Sequence, residues 1–211
     1  MTIKLYHCRD ARSMRPLWTL EELGVDYELV NMEFPPRYHH RDYLDVNPLG
    51  TVPALSIDGV VMTESSAMAQ YLVERFAPTN LALDISHSEY TLYLNWLHRS
   101  DATLTFPQTL ILRYTMLEKN ERRQPQVAAD YTQWFLSRMR SVEDALVDRE
   151  YLVADRFTIA DICVGYAIFL GRKLKLDKNF GPRTLAYLDR ITDRPGFKNT
   201  LEKQAGLKAL F

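Results

Sequence analysis

The chain has 211 residues, nearly half of them apolar, and its 26 Lys and Arg nearly balance 27 Asp and Glu, leaving a formal net charge of −1. That balance excludes the basic excess of a nucleic-acid-binding protein, and no apolar run approaches the ~20 residues that would span a membrane. The length suits two compact halves or one larger domain with a sizeable core.

Residues 1–6 lack signal-peptide architecture, and 3–6 read as a short buried strand. A helix is predicted over 13–23, with apolar Met14, Leu17, Trp18 and Leu20 and with Gly24 placed to end it. Residues 27–30 read as a second strand. Phe34-Pro35-Pro36 breaks the chain, and 38–44 can form one or two helical turns. Residues 54–57 and 60–62 flank Asp58-Gly59, a strong hairpin signal because Asp-Gly supplies the positive φ of a tight turn. A helix over 65–76 carries Ala67, Met68, Tyr71, Leu72 and Phe76 as its apolar stripe, and Pro78 stops it. The order β-α-β-α-β-β-α predicts a four-stranded mixed sheet covered by helices, thioredoxin-like.

Beyond residue 78 the periodicity is helical throughout. Residues 79–88 read as a linker, followed by an all-α half over 89–211. Helices are predicted from 88 to 104, interrupted at Pro107 and resumed at 110–114, then over 126–147, from 158 to 174, 184–191 and 197–204. Thr158-Ile159-Ala160-Asp161 is a capping box with Asp in place of Glu, and Thr158 and Asp161 are expected to maintain the fold.

Cys8 and Cys163 show no C-x-x-C spacing, and the five histidines (His7, His39, His40, His87 and His98) show no ligand spacing. No metal site or disulfide framework is expected, and the reading is a protein of a reducing compartment, the cytoplasm.

The most informative pair is Val52-Pro53, at the entry to a strand where proline cannot donate to the ladder. A cis bond in a tight turn would leave the Val52 backbone free to face a ligand; an ordinary trans proline is the alternative. Ser65 and the N–H groups after it open a helix, where dipole and unpaired donors favour a carboxylate, although Ser65 could simply cap that helix and Glu64 be a favourable first-turn charge.

Three stretches carry a resemblance that covers essentially the whole chain. They are Asn47-Pro48-Leu49-Gly50-Thr51-Val52-Pro53-Ala54-Leu55, Thr63-Glu64-Ser65-Ser66-Ala67-Met68-Ala69-Gln70-Tyr71-Leu72, and Phe157-Thr158-Ile159-Ala160-Asp161-Ile162. In this order and spacing the sequence resembles the cytosolic glutathione transferases, bacterial members among them. The resemblance implies an enzyme that binds reduced glutathione, stabilises its thiolate and conjugates it to an apolar electrophile, in detoxification. Val52 and Pro53 would pair with the cysteinyl segment, and Glu64 and Ser65 would hold the γ-glutamyl end. Arg12, together with Arg15, would keep the field positive near the thiolate. Arg37, His39 and His40 would lie towards the glycine carboxylate, and solvated charge is the equal reading of them.

A Tyr, Ser or Cys after the first strand activates the thiol in this family. Here the serine position of theta- and delta-like members falls on Ala11, and the cysteine position of beta-like members falls on Arg12. Ser13 is the hydroxyl that follows and is expected to be the catalytic thiol partner, with Tyr6 second. Cys8 comes too early for a glutaredoxin-like site. The second substrate is expected between the domains, against Phe106, Leu110, Arg113 and Tyr114, with Trp96 and Arg99 nearby. Glutathione is a co-substrate, no tightly bound cofactor is implied, and the family forms homodimers. The stretch 11–17 also looks like bacterial glutathione-dependent β-etherases, and the altered loop equally motivates a non-catalytic glutathione- or ligand-binding protein on the same fold.

Overall fold

The structure, a computed structural model, describes residues 1–209. Its first compact unit comprises Met1–Ala82 together with the chain from Thr192 onward, and its second runs Leu83–Ile191.

In the first unit, β1 (Ile3–Cys8) lies parallel to β2 (Glu28–Met32) and antiparallel to β3 (Ala54–Ile57), which pairs with β4 (Val60–Met62). The sheet order is β2-β1-β3-β4, the mixed four-stranded sheet expected. Asp58 and Gly59 take φ values of 48° and 87°, as the tight hairpin requires. Helix α1 (Met14–Leu23) ends at Gly24, whose φ of 64° lets its N–H reach the Leu20 carbonyl at 3.0 Å. The connection after β2 carries two single turns, α2 (Pro36–His39) and α3 (Tyr43–Val46), and α4 (Ser65–Arg75) follows the hairpin. Leu17 and Leu20 of α1 and Met68 and Leu72 of α4 close over Ile3, Leu5 and Leu55 of the sheet. Burying each such side chain contributes about 1.5–3 kcal/mol to the unit's stability.

The second unit is helical. Helix α5 (Tyr90–Arg99) does not break before Pro107. It continues through a π turn, Ser100–Thr105, into α6 (Phe106–Leu112), with the Phe106 N–H bonded to the Asp101 carbonyl. The wider turn accommodates a proline that can donate no ladder bond. A second π turn, Arg113–Leu117, ends this run. The 21-residue α7 (Pro125–Ala145), α8 (Ile159–Lys173) and α9 (Pro182–Thr192) follow, α9 ending where the first unit resumes. The last helix, α10 (Pro195–Lys203), was expected with the helical half. It returns instead to the first unit and packs along α1.

Helix α8 is buried from Ile159 to Gly171, so its start cannot rely on water. Asp161 meets that demand. Its Oδ2 accepts from the Thr158 N–H at 2.8 Å, and its Oδ1 accepts from the Leu152 N–H at 3.0 Å and the Tyr187 hydroxyl at 2.9 Å. The Thr158 hydroxyl donates to Oδ2 as well, at 3.1 Å, so removing this fully buried acceptor leaves four donors unsatisfied. Asp161→Ala should therefore lower unfolding free energy by about 3 kcal/mol or more in urea titrations. A loss below about 1 kcal/mol, the net worth of one ordinary hydrogen bond, would contradict this role.

Candidate functional site

The β1–α1 loop is wound by consecutive short bonds. The Ala11 N–H reaches the Cys8 carbonyl at 3.2 Å, Met14 N–H reaches Ala11, and Arg15 N–H reaches Arg12. Ser13 closes this loop from inside. It has no exposed surface, and its Oγ accepts from the Cys8 N–H and donates to the Cys8 carbonyl, both at 3.3 Å. The hydroxyl expected to face a ligand's thiol is thus directed into the loop. Tyr6 is half-buried and tilts its ring against Tyr43 at 5.4 Å.

The Val52–Pro53 bond is cis. The segment before it is held by its carbonyl at Thr51, which accepts from the Tyr43 hydroxyl at 2.6 Å and from Asn47 Nδ2 at 2.8 Å. Gly50, at φ 60°, completes the turn where any Cβ would lie 2.8 Å from that of Arg37. Among the described residues no protein group bonds the Val52 backbone N–H or C=O. Val52 and Ala11 pack in one cluster with Cys8, Tyr43 and Ala54, which brings the first loop and the Val52 turn together.

Ser65 opens α4 and is buried, and its Oγ accepts from Arg15 Nη1 at 2.9 Å across from α1. Arg15 is itself fully buried. Glu64, just before it, is exposed and holds a φ of 70°, a conformation that side-chain-bearing residues adopt only where surroundings impose it. The loop, the Val52 turn and the start of α4 therefore converge, through the shared cluster and the Arg15–Ser65 bond. The Arg15–Ser65 pairing was not foreseen. Its one sequence signal was a cation beside the apolar Met14, Leu17 and Trp18 of α1.

Residues 1–74 match the family model described as the glutathione S-transferase N-terminal domain. The chain is 28% identical to glutathione S-transferase GstA of Escherichia coli O157:H7, over 98% of this chain and 100% of that one. It is also 28% identical to Protein LigF of a Sphingobium strain, over 96% and 94%. The crystal structure of a glutathione transferase from Methylococcus capsulatus superposes with a TM-score of 0.86 at 28% identity, covering 96% of this chain and 98% of that one. Residues 1–74 belong to the glutathione S-transferase N-terminal domain family, and the chain over its length is similar to glutathione transferases.

The other expected site residues differ in their surroundings. His40 is turned to β2, its Nε2 accepting from the Glu33 N–H at 3.0 Å. His39 is exposed, with Nδ1 3.8 Å from the Glu33 carboxylate. Arg12 is half-buried at the loop. In the helical unit Phe106 is half-exposed, Leu110 and Tyr114 are partly buried, and Arg113 is paired with Glu118 at 2.9 Å. Trp96 is buried beneath the Arg99 guanidinium, 4.6 Å from its ring centre, as part of the packing. Among the described residues no cluster of His, Cys, Asp and Glu could hold a metal, and no helix is long and apolar enough to cross a membrane.

Burial pushes the Cys8 thiol up to about 12, leaving it protonated and unreactive at neutral pH. Burial also pushes His7 down to about 4, against the partial support of its bond to Gln204 and the nearby Asp10 charge. The unfolded chain, with an ordinary histidine near about 6.5, holds a proton that the folded chain lacks between these values. Stability from His7 is therefore present above about pH 6.5 and lost as pH falls towards 4. Between those pH values the wild type should lose about 3 kcal/mol more than His7→Gln in chemical unfolding. Parallel pH profiles would refute the assignment.

Proposed function

We propose that the protein is a glutathione transferase that binds reduced glutathione on its first unit and delivers the thiolate to an apolar electrophile. In this reading residues 1–78 bind glutathione, 79–88 join, and the helices that follow select the second substrate, through groups such as Phe106, Leu110, Arg113 and Tyr114. The reaction forms the sulfur–carbon bond, expels the electrophile's leaving group with its electron pair, and releases the thiol proton to solvent.

The observation that carries the reading is the Arg15–Ser65 bond. A guanidinium only donates, so the Ser65 oxygen is occupied as acceptor and its proton is left to point elsewhere. Together with the N–H groups at the start of the 11-residue α4, that proton suits the γ-glutamyl carboxylate. The exposed Glu64 suits the γ-glutamyl ammonium, and the unengaged Val52 backbone suits the cysteinyl amide. Arg12 and the N-terminal end of α1 favour the thiolate, while the inward Ser13 supports the loop that carries them. Exposed Arg37 and His39 are the basic groups available to the glycyl carboxylate, His40 being held at Glu33. By the same resemblance the protein is a cytoplasmic homodimer serving detoxification.

A second reading is an aryl-ether lyase of β-etherase type. The stretch 11–17 and the inward Ser13 favour it, because the loop then lacks the outward hydroxyl of the common transferases. There the thiolate attacks the ether carbon and the phenolate leaves.

Calorimetric titration with reduced glutathione tests the site. Saturable binding is expected, and Ser65→Ala should weaken it about tenfold by removing the carboxylate's donor. Wild-type affinity in that variant, or no binding by the wild type, would overturn the proposed site. Turnover with aryl halides identifies the transferase, phenol release from aryl ethers the lyase, and binding without either a non-catalytic glutathione-binding protein.

A further inference from the structure

Gln204 closes α10 and is 2% exposed, and both ends of its side-chain amide are engaged. Its Oε1 accepts from the Asp10 N–H at 3.0 Å and meets His7 Nε2 at 3.1 Å. Its Nε2 donates to Asp10 Oδ1 at 2.8 Å. The amide orientation follows from Asp10, which presents one donor and one acceptor. His7 must then carry its proton on Nε2. Asp10 is 2% exposed and sits at φ 56°, in the left-handed region where a non-glycine residue needs outside support. The same segment is tied to the loop again by Arg9, whose Nη1 donates to the Leu207 carbonyl at 2.6 Å.

Asp10 is the middle of the β1–α1 loop, between Cys8 and Arg12. Gln204 touches none of the groups assigned to glutathione, but it fixes the residue whose conformation sets their direction. Its partners lie 194 and 197 positions away in the chain, so the last helix holds the first loop in place.

We propose that Gln204 is a positioning residue for thiol activation: by locking Asp10 in its left-handed conformation it aims the β1–α1 loop at the glutathione sulfur. This rests on the glutathione-transferase reading above. It separates two properties of the site, because the γ-glutamyl subsite at Ser65 lies outside the lock and the thiol subsite lies within its reach.

The test compares wild type with Gln204→Leu, which keeps the volume and removes all three bonds. Two quantities are read. One is the pKa of enzyme-bound glutathione, from the ultraviolet absorbance of its thiolate. The other is the affinity for S-methylglutathione, which has no thiol to ionise. In the variant the bound-thiol pKa should rise by about one unit, with about a tenfold loss of turnover at neutral pH. S-methylglutathione affinity should stay within about threefold, less than the loss of one good hydrogen bond. If Gln204→Leu does not fold, Gln204→Ala carries the same test, since its smaller side chain admits water to Asp10 and His7. An unchanged bound-thiol pKa, with only a lower melting temperature, would make Gln204 merely structural and overturn the inference while leaving the transferase reading intact. A wild type that binds neither glutathione nor S-methylglutathione would overturn both.

Discussion

Glu22 accepts both arms of the Arg194 guanidinium, from Nε at 2.9 Å and from Nη2 at 2.7 Å. This fork anchors α10 to α1. The Glu22 carboxylate is nearly buried and also receives the Trp18 indole N–H at 3.0 Å, and Phe197 stands edge-on to that indole at 4.8 Å. Gly196 lies so close that a Cβ there would meet the Glu22 side chain at 2.7 Å. A two-pronged arginine–carboxylate contact fixes orientation as well as distance. With α10 so oriented, Gln204 reaches the first loop one helix length away. Without it, Asp10 and His7 would hold buried polar groups with no partner from the C-terminal helix.

The site itself is assembled from buried polar groups of unequal kind. Arg15 supports Ser65 from beneath α4, Tyr43 and Asn47 together fix the Thr51 carbonyl ahead of Val52, and Ser13 binds both backbone groups of Cys8. These bonds brace the site from within. Beside the Ser65 hydroxyl proton they leave the Val52 backbone and the N–H groups at the start of α4, and backbone groups hold a position that does not depend on a side-chain rotamer. Recognition by backbone suits a peptide ligand, since an extended peptide offers complementary N–H and C=O groups wherever its side chains differ.

Much of this was legible in the chain. Alternation and Asp58-Gly59 marked the sheet, Gly24 marked the end of α1, and the Thr158-to-Asp161 spacing marked the start of α8, because each of these signals is local. Glu64-Ser65 and Val52-Pro53 were legible as a pair for the same reason. The passage of the helix across Pro107 was not, since a π turn leaves no residue signature of its own. Ser13 is the expected thiol partner because it is the hydroxyl that follows Ala11 and Arg12 in the loop. Sequence spacing could not reveal that Cys8 takes both sides of it. The pairing of Arg15 with Ser65 and the role of Gln204 were invisible because the partners stand 50 and 194 positions away, where no periodicity carries information.

The return of α10 to the first unit also has a consequence in time. Residues 1–82 leave the ribosome long before Thr192, so the strands and first helices must wait, with the α1 face uncovered, while the whole of Leu83–Ile191 is made. The helical unit is continuous in sequence and can close on itself during synthesis, whereas the unit that begins first is the one that finishes last. The growing chain thus carries a first loop without its Gln204 support until α10 emerges.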